Sequence, residues 1–335
     1  MKNLLKNKTV PVYTIAFFSF AISFILGILL GSTSLSIREI FNAVFYNSNS
    51  PEAAIFWYVR LPRTLAALLV GAALSVSGAV IQSVLANRLA SPSIIGVNSG
   101  AGLAVTICAA FGVIGGGFKL SFFAFIGAFL AVMLISIGAR KWGASRGTVI
   151  LMGVALNSIL GAVSDAIIAF YPEISIMSSD FKVGDFSAVT YQKLLPASVF
   201  IILTLIALMT LSNELEVLTM GDDNARGLGL NTGLFRTVFL LLAAILAGAA
   251  VSLAGLLSFV GLLVPHAVRM AFGTRLKHLI PLSALFGATF VTLCDTLSRF
   301  IFAPYEIPVG IIMSLIGAPF FVFILIRSKG GHKNA

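Results

Sequence analysis

The feature that most limits this chain is the recurrence of uninterrupted apolar blocks about 20 residues long. At ~1.5 Å of rise per residue, a helix of that length crosses the ~30 Å hydrocarbon core of a bilayer with its backbone polar groups bonded internally. The blocks are continuous rather than alternating at period two, which excludes a membrane β-barrel. Composition agrees: of 335 residues 59% are hydrophobic and only 10% charged, with a mean hydropathy of +1.05. A soluble domain carries roughly 25% charged residues. The expected fold class is all-α, a polytopic protein of a lipid bilayer.

Ten spans are predicted, at 12–31, 64–86, 94–114, 120–138, 148–170, 192–211, 235–255, 257–272, 279–301 and 308–327. The span 257–272 is short and contains Pro265. The basic start followed by Val12–Leu30 resembles a signal peptide, but its apolar stretch is too long, so it reads as an uncleaved first span. With the N-terminus inside, 15 of the 22 basic residues fall in cytoplasmic segments, from Lys2, Lys6 and Lys8 to Arg327, Lys329 and Lys333. Arg38, Arg60, Arg63, Lys119, Lys182, Lys193 and Arg299 fall outside. Both termini are therefore expected in the cytoplasm. The formal charge of +10 is explained by this bias, and no nucleic-acid partner is needed.

Residues 71–78 read GAALSVSG and residues 248–255 read GAAVSLAG, alike at five of eight positions. They lie in the second and seventh spans, and an offset of five spans points the copies in opposite directions. That is an inverted repeat relating spans 2–5 to spans 7–10. Small residues also gather wherever membrane helices pack closely, so both explanations stand at this point.

No phosphate-binding Gly-x-x-x-x-Gly-Lys loop occurs, so any ATP chemistry belongs to another subunit. Cys108 and Cys294 sit inside apolar blocks, and His266, His278 and His332 are scattered. No enzyme, metal site or cofactor is expected. The longest cytoplasmic loop, 212–236, contains Asp222 and Asp223 where they suit a helix N-terminus and Gly229 where it suits a C-terminal cap. Two short helices would fit there, as would an ordinary solvated loop.

Arg60 and Arg63 flank Pro62 at the outer start of the second span, and Arg299 ends the ninth. Three outward arginines against the charge bias read as a basic docking surface for an acidic extracytoplasmic partner. Asp295, four residues before Arg299, is placed to pair with it on a helix. Asp165, in the fifth span, has no local basic partner.

Several ordered motifs then resemble one family. Arg60-Leu61-Pro62-Arg63, Gly71-Ala72-Ala73, Asn87-Arg88-Leu89-Ala90-Ser91-Pro92 and Gly96-Val97-Asn98-Ser99-Gly100 match the N-terminal half of the iron-siderophore, haem and cobalamin ABC importer permeases (FecCD/BtuC-like). Val264-Pro265-His266, Asp295, Arg299, Glu306-Ile307-Pro308-Val309-Gly310 and Gly317-Ala318-Pro319 match the C-terminal half. The likeness runs from about residue 20 to residue 327. It implies a type II importer permease forming one domain over 1–335, paired with a second permease subunit. Two ATP-binding subunits and an extracytoplasmic substrate-binding protein complete the assembly. It also implies that the loop 212–234 couples to the ATPase through Gly221, Asp222, Asp223, Ala225, Arg226, Leu228 and Gly229. Arg60, Arg63 and Arg299 would meet glutamates of the binding protein. Asn87, Leu89, Asn157 and Ser158 are expected at the inner gate and pathway.

The chain departs from the family at Arg88 and Ser91, where proline and aspartate are usual, and lacks a tryptophan pattern in 178–191. The expected function is ATP-driven import of an iron(III)–siderophore complex by alternating access. Haem and cobalamin are alternative cargoes. An ion-coupled secondary transporter using Asp165 and Asp295 is a rival of another class, and a scaffold or receptor without transport is a third.

Overall fold

The computed structural model describes residues 2–33, 36–46, 50–113, 118–273 and 275–330, with side-chain surroundings from residue 10 to residue 323, Ile37 apart. In chain order the helices begin with α1 (Lys2–Leu29), α2 (Ile37–Phe45) and α3 (Pro51–Ala54). The last runs through a π-helical turn, Ile55–Arg60, into α4 (Leu61–Val84). Then come α5 (Val97–Ala110), α6 (Phe118–Lys141), α7 (Arg146–Phe170), α8 (Ser175–Val183) and α9 (Tyr191–Thr210). Two short helices, α10 (Ser212–Thr219) and α11 (Asp222–Gly227), precede α12 (Thr232–Ala254), α13 (Val260–Phe272), α14 (Leu276–Phe300) and α15 (Val309–Gly330). The described residues contain no strand.

Each of the ten predicted spans falls on its own helix, but seven are long and apolar enough to cross a membrane alone. The others are α5, α13 and the apolar part of α15, Val309–Phe323. Two predicted spans shorten at their starts. Helix α5 begins only after an irregular stretch, 85–96, and α13 only after 255–259. Gly96 (φ 94°) and Phe259 (φ 67°) hold left-handed backbone at these two junctions. Such non-helical backbone is tolerated at membrane depth because protein covers it: the Leu256 N–H donates to the Phe181 carbonyl at 2.9 Å. The side chains of Lys2, Lys6, Lys8, Arg327 and Lys329, residue 114 at the end of the predicted third span, His332 and Lys333 lie outside the description.

Helices α4 and α12 form the centre. The first packs on α14, α12 and α13; the second packs on α4, α6 and α9, while α1 lies along α14. Small residues permit the close crossings. A Cβ added at Gly71 would stand 2.2 Å from the Gly287 carbonyl oxygen, and one at Gly78 only 1.8 Å from that of Gly261. The matching Gly248 of α12 faces Phe125 and Ala128 of α6, at 3.2 and 3.4 Å from an added Cβ. The two copies of the repeat thus occupy the two central helices. The first glycine of each faces the equivalent helix of the other half, α14 in one case and α6 in the other. This is the packing an inverted repeat produces.

Candidate functional site

Polar clusters stand at opposite ends of the helix stack. At one end, Pro62 shapes the approach to α4. The Leu61 N–H bonds to the Phe56 carbonyl, closing a π-type turn. The next bond of that pattern would fall on the Trp57 carbonyl, but Pro62 has no N–H to give. Tyr191 Oη supplies it instead, at 2.7 Å.

The three outward arginines gather at this end but are not displayed as a basic surface. Arg60, Arg63 and Arg299 are 2%, 4% and 3% exposed. Arg60 Nη1 donates to the carbonyls of Ile28 and Leu29 at 2.7 and 2.6 Å, and Nη2 bonds to the Thr33 carbonyl. Its charge therefore caps the C-terminus of α1, where helix carbonyls lack partners and the dipole is negative. Arg63 Nε donates to Asp295 Oδ1 at 3.0 Å and Nη1 to Glu306 Oε2 at 2.7 Å, while Nη2 lies 3.7 Å from Asp185 Oδ1. Arg299 pairs with Asp295 Oδ2 at 3.0 Å, as the i,i+4 spacing predicts, and also reaches the Gly27 carbonyl at 3.1 Å. Buried Asp295 therefore bridges two arginines. Such charges are retained in low dielectric only when paired. Asp165 stands apart on α7, exposed, with Lys182 at 3.8 Å. The roles of Glu306 and Asp185 were not read from the sequence. The available signal was that both acids lie at the same predicted end as Arg63.

At the other end, the loop 212–234 forms the two short helices. Gly221 (φ 102°) starts α11, Asp222 and Asp223 occupy its first turn, and Gly229 (φ 84°) ends it. Leu230 N–H to Ala225 O (3.0 Å) and Gly229 N–H to Arg226 O (2.9 Å) close a Schellman cap. Ala225 is the buried anchor of α11, whereas Met220 and Leu228 are exposed apolar side chains, at 55% and 67%. Asp222 ties the loop to the spans. It accepts from Arg146 of α7 at 2.9 Å and from Arg236 of α12 at 2.6 Å. Burial alone would raise its pKa, but the hydrogen bonds and charges of Arg146 and Arg236 outweigh burial and hold the carboxyl below its ordinary value.

The stretch 85–96 lies toward this same end. Asn87 Oδ1 accepts from the Leu89 N–H at 2.8 Å, within the turn, and Leu89 is exposed. Asn157 of α7 spends its amide on the turn: Nδ2 donates to the carbonyls of Ser93 and Ile94 at 2.9 and 3.1 Å, and Oδ1 accepts from Ser99. Its polar group therefore clasps α7 to the turn, whereas Ser158 is exposed on a face of α7 that no described helix covers. Arg88 is exposed, and the Ser91 and Ser93 hydroxyls bond each other at 2.8 Å. Deeper in, Arg269 of α13 bonds to the Gln82 side chain and to the Ala79 carbonyl (3.2 Å), while Gln82 Nε2 donates to the Gly261 carbonyl at 3.0 Å. This links α4 and α13, a role the sequence left open.

With both clusters placed, the family can be decided. The model of the FecCD transport family matches residues 19–327. The chain belongs to that family. Across 95% of its length this FecCD chain is 35% identical to the iron-uptake system permease protein FeuB of Bacillus subtilis, of which 95% is covered. It is also 35% identical to the hemin transport system permease protein HmuU of Yersinia pestis, over 90% of each chain. Its fold is similar to an inward-facing metal-chelate type ABC transporter, with a TM-score of 0.84 and 29% identity over 94% of this chain and 98% of the other. The FecCD chain is thus a multi-pass permease subunit of an ABC importer with the type II fold. ATP hydrolysis lies with separate ATPase subunits. Family membership sets aside the ion-coupled rival, and the geometry gives Asp295 another occupation, between Arg63 and Arg299.

Proposed function

We propose that this permease carries an iron(III)–siderophore complex, as an intact chelate, across the bacterial cytoplasmic membrane. The observation that carries this reading is the agreement of relatives along nearly the whole chain: one named for iron uptake, one for hemin, and a solved neighbour of metal-chelate type. The equal identity of the hemin relative favours haem as the second reading.

The end bearing α11 is assigned to the cytoplasm, with both termini. Arg88, Arg140, Lys141, Arg146, Arg226, Arg236, Arg269, Arg275 and Lys277 all lie at helix ends or loops on that side, as the charge bias of membrane proteins requires. The uncovered face of α7, with Leu151, Val154 and Ser158 exposed, fits a second permease subunit across a shared pathway. Asn87 and Leu89 of the turn and Asn157 of α7 then stand where an inner gate would form. Gly221, Asp222, Asp223, Ala225, Arg226, Leu228 and Gly229 form the coupling element. Exposed Met220 and Leu228 offer an ATPase an apolar contact, and Asp222 passes its motion to α7 and α12. Movement of two subunits about the pathway gives alternating access.

The substrate-binding protein is assigned to the opposite end. Because Arg60, Arg63 and Arg299 are buried, docking there requires an exchange: a partner carboxylate replaces Glu306, itself a third exposed, on Arg63. Arg299 and Arg60 hold the rim in shape beneath it.

The test is uptake of radiolabelled ferric siderophore by a strain lacking the gene, complemented with the native chain or with Arg63→Glu, with and without ATP depletion. Uptake restored by the native chain alone, and only with ATP, is expected. Uptake untouched by the deletion would remove siderophore as cargo and bring labelled haem next.

A further inference from the structure

Between the end of α6, the start of α12 and the coupling helix α11 lies an open cavity of about 590 Å³. Three arginines line it, Arg140, Arg226 and Arg236, against one acidic residue, Asp222. Asp222 is already shared between Arg146 and Arg236, so the cavity keeps a positive excess. Arg236 is mostly buried, and its Nε has no hydrogen-bond partner. Arg140 is exposed at the rim, and its side chain makes no hydrogen bond or ion pair among the described residues. The first turn of the 23-residue helix α12 also borders the cavity. Asn231 caps the Leu234 N–H at 3.1 Å, and the amides of Thr232 and Gly233 find no acceptor among the described residues. Unused donors, a surplus of arginine and the positive end of a long helix together ask for an anion with several oxygens.

The level of the site in the bilayer selects the source of that anion. Trp142 directly follows Lys141 at the end of α6 and is 73% exposed. An exposed indole beside basic residues at a span end marks the headgroup layer. A cavity at that depth between two span ends opens to phospholipid headgroups, where basic pockets retain anionic lipids.

We propose that this cavity binds the phosphate of an anionic phospholipid headgroup through Arg140, Arg226 and Arg236. The occupant presses on the same Arg236 that holds Asp222, so it bears directly on the seat of α11. The site does not depend on which leaflet it faces, nor on the cargo.

The experiment uses the assembled transporter, purified with its associated subunits and passed into nanodiscs of phosphatidylcholine with or without phosphatidylglycerol. Lipids retained after detergent washing are counted by native mass spectrometry, and binding of labelled inorganic phosphate is measured by dialysis in parallel. Phosphatidylglycerol retained in preference to phosphatidylcholine is expected. Arg140→Gln should lower that retention about fivefold, at ~1 kcal/mol per basic residue near a membrane surface. Arg140→Lys should restore it, and Lys182→Gln at the other end should leave it unchanged. Because Arg140 is exposed and unpaired, its variants keep the native elution profile. Equal retention of both lipids by the native chain, or retention indifferent to Arg140→Gln, overturns the proposal. Phosphate binding without lipid preference overturns the lipid as its source.

Discussion

Arg63 Nε donates to Asp295 Oδ1 at 3.0 Å across 232 residues of sequence, with both side chains buried. The same carboxylate meets Arg299 through its other oxygen at 3.0 Å. One acid therefore keeps two guanidiniums from repelling each other in a low-dielectric setting. Asp295→Asn leaves both arginines short of their counter-charge, and removing one partner of a buried pair costs about 3–5 kcal/mol. The melting temperature of the purified permease should fall sharply. Because Arg63→Met/Asp295→Leu/Arg299→Met removes all three buried charges together, it should lose much less than Asp295→Asn. A stable Asp295→Asn protein would show that this cluster does not hold α4 to α14.

Glu306 competes for Arg63 with any docking carboxylate. Glu306→Gln keeps the shape but weakens the charge-assisted bond at Nη1, so the purified binding protein should bind the transporter several-fold more tightly, at roughly 1.4 kcal/mol per factor of ten. Titration calorimetry at low salt reads this directly. Weaker binding would mean that Glu306 itself contacts the partner, and the exchange idea would fail.

The crossing of α4 with α13 depends on two hydrogen-sized side chains. A Cβ at Gly78 would stand 1.8 Å from the Gly261 carbonyl oxygen, so Gly78→Ala must push backbone rather than a flexible side chain. Overpacking of this kind costs about 1–3 kcal/mol. Gly78→Ala should reduce thermal stability, whereas Gly161→Ala on α7, which meets nothing within 4 Å, should not. Equal melting temperatures for the two variants would contradict the close crossing.

The seat of α11 is sensitive to acid. Asp222 is held below its ordinary pKa because its charged form is bound by Arg146 and Arg236. A carboxylate favoured in the fold contributes stability that is complete above its unfolded pKa, ~3.9. That contribution is lost as pH falls through the lower folded value. Amide exchange in 221–230, corrected for intrinsic rates, should be flat at neutral pH and rise only below the usual carboxylate range. Asp222→Asn should exchange faster at neutral pH and lose that acid step. An unchanged acid step in Asp222→Asn would place its origin on another group.

What could be read from the chain alone is what acts over a few residues or over one helix. Apolar blocks of span length dictate helices, since a bilayer leaves an exposed backbone no other way to satisfy its polar groups. The i,i+4 pairing of Asp295 with Arg299 follows from helix geometry, and Asp222, Asp223 and Gly229 mark the ends of α11 by the chemistry of helix termini. The repeated GAAxSxxG pattern carries the duplication and the basic bias sets an expected orientation, because both are properties of whole segments. The tertiary structure alone decided which distant groups share a pocket. Glu306 and Asp185 reach Arg63, Gln82 reaches Arg269, and Arg60 turns inward to the carbonyls of α1 rather than outward. The meetings of Arg63 with Glu306 and of Gln82 with Arg269 depend on how α4 crosses α14 and α13, and those crossings are set by glycine contacts whose partner helix no local pattern names. Local forces chose the helices, and close packing between them chose which charges are buried together.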